Sequence, residues 1–253
     1  MKTDLFSIGP LTVHGYGLMI GIGVAAALLL SWRRARERGF AEETVSRLAV
    51  YMLIFGFLGA KLLYIITSMD EFLADPLGTL GAEGFVVYGG IIAGFFAVLF
   101  YCRRKKLDLL TWLDLFFPGV ALAQGFGRIG CFLAGCCYGA PTDSVLGVVF
   151  PLGGSAPAGI ALWPTQLFSA GGDFIIAALL LLMEKKHSER GRTSVSYLFL
   201  YAVGRFAVEF FRDDPRGTVG FLSTSQFISV FIFALALALT VYLKKGRTMT
   251  HGN

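Results

Sequence analysis

Seven apolar segments, each long enough to cross the hydrocarbon of a bilayer as a helix, leave this chain few folds to choose from. They cover residues 15–32, 48–66, 85–101, 113–139, 164–183, 195–211 and 226–243. A helical crossing needs about 20 residues. Within lipid the backbone N–H and C=O groups find no water, so each segment must satisfy them internally as a helix. Soluble domains carry about 25% charged residues. Here the share is 15%, against 55% hydrophobic, and the mean hydropathy is +0.68. The expectation is an all-α polytopic membrane protein with seven transmembrane helices and a single membrane domain over residues 1–253. The 32 glycines suit closely packed membrane helices. The fourth segment is interrupted by glycines at 125–130, which predicts a tilted or kinked helix. Met1 to His14 lacks the basic, apolar and small-residue pattern of a cleavable signal peptide.

The connections alternate in basic charge. One set holds Arg33, Arg34, Arg36 and Arg38, then Arg103, Arg104, Lys105 and Lys106, then Lys185, Lys186, Arg190 and Arg192, and finally Lys244, Lys245 and Arg247; the other set holds Lys2 and Arg216. The positive-inside rule then predicts an amino terminus outside and a carboxyl terminus in the cytoplasm. Seven spans require the same arrangement by parity. Because the net charge of +5 is divided among these short clusters, no continuous basic face for nucleic acid emerges.

This topology sorts the polar residues by depth. Arg128 falls in the outer half of the fourth segment, within Gly127-Arg128-Ile129-Gly130. An unpaired arginine in hydrocarbon costs about 3 kcal/mol or more. Lys61 and Tyr64 near the end of the second segment, and Tyr88, Gly89 and Gly90 at the start of the third, come to the same level. So do His14 and Tyr16 at the mouth of the first, and Arg205, Glu209 and Arg212 on the sixth. Arg205 and Glu209 stand at i and i+4 and can pair. Arg212 and Lys61 have two readings, as snorkelling side chains or as ligands of the site. Several cations at one depth predict an anion, and a phospholipid phosphate fits the two-pronged donor geometry of arginine.

Other polar positions have plainer roles. Asp114 is expected near the start of its helix, where the dipole favours a carboxylate. Asp173, in mid-span, is expected to pair with a buried cation. His187 and His251 fall in connecting and terminal segments. Trp163-Pro164-Thr165-Gln166 reads as a helix start with proline in its first turn, from which Gln166 can face the polar cavity. Cys131, Cys136 and Cys137 crowd one segment, but no His or second Cys-x-x-Cys completes a zinc pattern. Packing roles are expected for them, and no metal or cofactor.

Several runs resemble the prolipoprotein diacylglyceryl transferase family over nearly the whole chain. They are Ile8-Gly9-Pro10, His14-Gly15-Tyr16-Gly17, Gly59-Ala60-Lys61-Leu62-Leu63-Tyr64, Tyr88-Gly89-Gly90, Gly127-Arg128 through Gly139, Pro164-Thr165-Gln166-Leu167 and Arg205 through Arg212. The resemblance implies an inner-membrane enzyme that moves the diacylglyceryl group of phosphatidylglycerol to the lipobox cysteine of a prolipoprotein. By that likeness Arg128 holds the phosphate, Arg205 stabilises the charge of the departing phosphate, and Glu209 orients Arg205. Tyr88 joins them as a catalytic candidate. His14, Tyr16, Lys61, Gly89, Gly90, Gly139, Gln166 and Arg212 form the substrate-binding set. The chain departs from the family pattern at Tyr88, where a histidine is common, and at Lys61, which replaces an arginine. Cys131 and Ala134 stand for two asparagines, and Cys136 for an acidic residue.

Two other classes fit the same residues. A thiol-dependent transferase or redox protein would use the three cysteines, and replacing them would abolish its activity. A lipid-binding module or transporter would use the polar cavity without forming a covalent product; transporters commonly carry internal repeats, and none is evident here.

Overall fold

A computed structural model of the chain describes residues 4–8, 11–81, 84–151, 155–186, 189–214 and 217–250. His187 and His251 lie outside them. The described elements begin with a hairpin, β1 (Asp4–Ile8) and β2 (Leu11–His14), followed by α1 (Gly15–Glu37), α2 (Glu42–Thr67), the short α3 (Met69–Ala74) and α4 (Pro76–Gly81), α5 (Val87–Arg104) and α6 (Leu109–Ala134). Then come a two-residue pair, β3 (Val148–Val149) and β4 (Ala161–Leu162), α7 (Thr165–Lys186), α8 (Arg192–Val208) with a 3-10 turn at Glu209–Phe211, a second pair, β5 (Thr218–Val219) and β6 (Leu222–Ser223), and α9 (Thr224–Thr250). Seven of the described helices are long and apolar enough to cross a membrane: α1, α2, α5, α6, α7, α8 with its 3-10 turn, and α9. Large apolar side chains such as Leu29, Phe57, Leu182 and Phe231 stay exposed along them, as lipid-facing positions do.

The helices overrun the apolar segments because charged neighbours extend them. At the end of α1, Arg33 donates to Glu37 at 3.0 Å, one turn away. At the start of α6, the Asp108 carboxylate accepts from the Thr111 backbone N–H at 2.9 Å and from its hydroxyl at 2.6 Å, a side-chain N-cap. The glycines at 125–130 lie within α6. Helix α6 runs unbroken through that stretch, and a Cβ on Gly125 would run into the Phe174 ring of α7. That glycine therefore permits close helix packing.

Backbone proximity divides the chain into two compact units, Met1–Leu30 with Leu113–Asn253, and Ser31–Trp112. In the smaller unit α2 and α5 pack through Gly59 and Gly89. A Cβ on Gly59 would lie 2.5 Å from the Gly89 carbonyl oxygen, so the two backbones touch. We therefore expect Gly59→Ala to lower stability by about 1–3 kcal/mol, the usual cost of overpacking. Gly17→Ala, whose added Cβ meets nothing within 4 Å, should not; thermal unfolding of the two variants in detergent compares them.

The larger unit is built around α6, α7, α8 and α9. Ala121, Ile176, Ala177, Leu180 and Tyr197 form its buried cluster. Phe117 stacks on Tyr197 with ring centres 4.4 Å apart, and the Tyr197 hydroxyl donates to Gln124 Oε1 at 2.7 Å. Asp114 sits near the start of its helix, as expected, and has a further role. It lies buried in the second turn of α6 and caps a different helix. Its carboxylate accepts from the Gly191 N–H at 2.5 Å, the Ser194 N–H at 2.7 Å and the Ser194 hydroxyl at 2.6 Å. Gly191, the N-cap of α8, has no side chain to offer, so α6 supplies the missing acceptor.

Candidate active site

Three helices of the larger unit aim polar side chains at one cavity of about 50 Å³. Arg128 comes from α6. Ser169 and Asp173, one turn apart, come from α7; Tyr201 and Arg205, again one turn apart, come from α8. Residues at i and i+4 share a helix face, so each helix needs only two such positions to present a polar wall. Asp173 is 7% exposed and within electrostatic range of both Arg128 and Arg205. The carboxylate is shared between the two guanidiniums. Asp173 thus has the cationic neighbours expected from sequence, although nothing in the sequence placed it, Ser169 or Tyr201 in the site.

The Arg205–Glu209 pair is formed, with Nη1 2.6 Å from Oε2 and both side chains nearly buried. Arg205 also donates to the Ser225 hydroxyl of α9 at 2.6 Å. Glu209 opens the 3-10 turn, which tightens the chain and brings Arg212 to 4.0 Å from the same carboxylate. Arg212 does not snorkel. Its side chain is 3% exposed, and it donates from Nε and Nη2 to the two oxygens of Asp214 at 3.0 and 3.1 Å. A planar fork facing a carboxylate in this way is a strong, directional pair.

The chain leaves α6 through a Schellman turn. The Gly135 N–H donates to the Phe132 carbonyl at 3.1 Å and the Cys136 N–H to the Cys131 carbonyl at 3.1 Å. Gly135 takes the left-handed conformation that this turn requires, at φ 69°. Helix α6 therefore ends at Ala134, five residues before the apolar segment does. Cys137 is left-handed too, at φ 62°, a rare conformation for a residue with a side chain. The start of α7 fixes this loop. The Thr165 hydroxyl donates to the Cys137 carbonyl at 2.8 Å, and Gln166 Nε2 donates to the Cys136 carbonyl at 2.7 Å. Gln166 is 1% exposed, and its amide holds the cysteine loop. Its Oε1 has no hydrogen-bond partner among the described residues. Gly139 threads between two strands of chain: its N–H donates to the Trp163 carbonyl at 3.0 Å, and a Cβ there would lie 2.5 Å from the Phe211 carbonyl oxygen.

The three thiols behave as a group. Hydrogen bonds from Cys131 and then Cys136, with the charge of Arg212, pull the Cys137 thiol down from its ordinary value. Hydrogen bonds with Cys131 and Cys137, and then partial burial, push the Cys136 thiol up.

The remaining predicted residues are placed as follows. His14 ends β2, opposite Asp4. Tyr16 packs against α6 at Gly130, where a Cβ would meet its ring at 3.1 Å, and lies within electrostatic range of Arg128 and Cys131. Lys61, Tyr88, Gly89 and Gly90 belong to the smaller unit. There the Lys61 ammonium sits 5.0 Å from the centre of the Tyr64 ring and 5.1 Å from that of Phe85, Tyr88 is exposed, and Gly89 is buried against α2.

Comparison with known proteins adds a lineage to this geometry. Residues 3–242 match the family described as prolipoprotein diacylglyceryl transferase. A Clostridium tetani protein named phosphatidylglycerol–prolipoprotein diacylglyceryl transferase is 48% identical over 239 residues, 94% of this chain and 96% of its own length. A Clostridium perfringens protein of the same name, numbered 2, is 46% identical over 99% of each chain. A Dehalococcoides mccartyi protein of that name is 32% identical over 95% of this chain and 93% of its own.

Proposed function

The chain belongs to the prolipoprotein diacylglyceryl transferase family, and we propose that it moves the diacylglyceryl group of phosphatidylglycerol onto the lipobox cysteine thiol of a prolipoprotein. The thiol sulfur forms a bond to the glyceryl carbon, the carbon–oxygen bond to phosphate breaks, and glycerol phosphate leaves with the bonding electron pair. The thiol proton is lost, since the thiolate is the nucleophile. The observation that carries this reading is the cavity lined by both Arg128 and Arg205.

Charge builds on the phosphate as the carbon–oxygen bond breaks. Two guanidiniums already fixed around that position stabilise the transition state without reorganising, usually the largest catalytic contribution in a buried site. Arg128 binds the phosphate, and Arg205 meets the growing charge. Glu209, 2.6 Å from Arg205, fixes its direction. Tyr88 takes the family's histidine position as a phenol, and is a candidate to assist the proton transfer. His14, Tyr16, Lys61, Gly89 and Gly90, with Gly139, Gln166 and Arg212 around the α6 loop, complete the binding set. The basic connections set the amino terminus outside and the carboxyl terminus in the cytoplasm. The membrane is the bacterial inner membrane, and the site faces its outer leaflet. The acceptor is recognised through the lipobox of its signal peptide.

Incubation of the purified chain with phosphatidylglycerol and a lipobox peptide should give a peptide heavier by one diacylglyceryl group. Its thioether should resist hydroxylamine, and glycerol phosphate should appear in equal amount. Mass spectrometry reads both products. A folded protein that binds the lipid and never modifies any lipobox peptide would sink this reading.

A further inference from the structure

The end of α6 does more than turn the chain. A Schellman turn sets the residue three before the helix cap beside the second residue after it, a contact normally made by two apolar side chains. Here those positions are Cys131 and Cys136. The left-handed backbone of Cys137 then swings a third thiol to the same point. The three sulfur atoms lie within 4.8 Å of one another, and none of the three residues is in a disulfide. Zinc binds thiolate sulfur at about 2.3 Å, which sets two sulfurs of a tetrahedral site about 3.8 Å apart. The sulfur separations, all within 4.8 Å, lie about 1 Å or less outside that spacing. The spacing Cys-x-x-x-x-Cys-Cys hides the site in the linear sequence, and the helix end assembles it.

The surroundings suit a bound cation with its thiolates. Three thiolates around a divalent ion carry a net negative charge. Arg128 is within electrostatic range of Cys131 and Cys137, and Arg212 is within hydrogen-bonding reach of Cys137. The two carbonyls that shape the loop are each held by a side chain of α7, the hydroxyl of Thr165 and the amide of Gln166. These two bonds fix the backbone that carries the Cys136 and Cys137 thiols.

We propose that Cys131, Cys136 and Cys137 hold a zinc ion as a three-thiolate site, with a fourth position that takes the thiol of the acceptor cysteine. The acceptor role rests on the transferase reading above. Three protein ligands and one open position are the pattern of a catalytic zinc. Binding releases the three thiol protons to solvent. The acceptor thiol displaces the bound water and gives its proton to solvent, because a coordinated thiol is deprotonated outright. Its sulfur then attacks the glyceryl carbon: the sulfur–carbon bond forms, the sulfur–zinc and carbon–oxygen bonds break, and the electron pair of the latter goes to the phosphate oxygen. The nucleophile is thereby generated at the metal, beside the arginine that binds the phosphate.

Elemental analysis of the full-length protein purified without chelator should find zinc equimolar with the chain, and Cys136→Ser with Cys137→Ser should lose it. Because that variant can fail to fold, a second measurement uses the native chain: zinc should protect these three thiols from alkylation. After exchange to cobalt(II), a sulfur-to-cobalt absorption band should appear. Its visible bands should shift on addition of a lipobox peptide, and stay fixed with the serine version of that peptide. Zinc content no higher than in the folded variant, thiols alkylated equally fast with and without zinc, a disulfide among the three, or a cobalt spectrum indifferent to the cysteine peptide would each overturn the proposal. Metal-free protein that lipidates peptide at the full rate overturns it while leaving the transferase reading intact. Protein whose cobalt spectrum answers the cysteine peptide, yet forms no thioether, upholds the site and removes the transferase reading.

Discussion

Arg128→Ala is expected to lower the rate of diacylglyceryl transfer by about a hundred- to a thousandfold, the range for deleting one preorganised donor to a developing anion. Arg128 is the contribution of α6 to the cavity, facing Arg205 and Asp173, and no other cavity-lining residue on that helix can replace it. Initial rates of thioether formation over a range of phosphatidylglycerol concentrations make the test. If the guanidinium grips the phosphate equally in ground and transition states, KM rises and kcat is kept. If it acts chiefly on the charge released as the carbon–oxygen bond breaks, kcat and kcat/KM fall together. Arg128→Lys keeps the charge and loses the two-pronged fork, so its rate should lie between the two. Removing Arg128 also leaves Asp173 with one cationic neighbour fewer. The double change Arg128→Ala with Asp173→Asn should therefore recover stability without recovering activity, which separates the chemical loss from a folding loss. Unimpaired transfer by Arg128→Ala would remove this arginine from the mechanism.

The seven crossing helices were legible because length and hydropathy are properties of single segments. So was the Arg205–Glu209 pair, since i and i+4 positions meet on any helix. What stayed hidden depends on partners distant in sequence or on backbone conformations that hydropathy does not register. The acceptors for Gly191 and Ser194 belong to Asp114, on a helix that starts over 70 residues earlier. Gln166 reads as a cavity residue, and nothing local shows its hydrogen bond to the Cys136 carbonyl. Arg212 keeps two readings in the sequence, as a snorkelling side chain or a ligand of the site, because Asp214 lies beyond the apolar segment. The cysteine cluster did carry a local signal. Gly135 is the residue a Schellman turn prefers, and taking it as the helix end would have set Cys131 against Cys136. Hydropathy carried the fourth span on to Gly139 and concealed that ending. The hairpin of β1 and β2 was missed because it is built from four- and five-residue strands next to a far stronger helical signal.

Glu209→Ala should destabilise the protein by about 3–5 kcal/mol, the cost of removing one partner from a buried ion pair. The carboxylate lies 2.6 Å from Arg205 and 4.0 Å from Arg212, with its side chain 5% exposed. Its loss leaves two buried guanidiniums close together. Arg212 keeps its hydrogen-bonded Asp214, whereas Arg205 keeps the neutral Ser225 hydroxyl and the longer-range charge of Asp173, so the loss falls mainly on Arg205. Arg205→Ala should cost less, because the carboxylate left behind still has Arg212 beside it. Replacing both together, with Arg205→Met and Glu209→Leu, should cost less than Glu209→Ala alone, since no buried charge is stranded. Thermal unfolding in detergent orders the three variants. The same series read by lipid transfer separates structure from chemistry: the double variant should be stable and inactive, because stability needs the two charges only to balance, while catalysis needs Arg205 itself at the departing phosphate. A double variant that is both stable and fully active would remove Arg205 from the reaction and leave the pair as scaffolding.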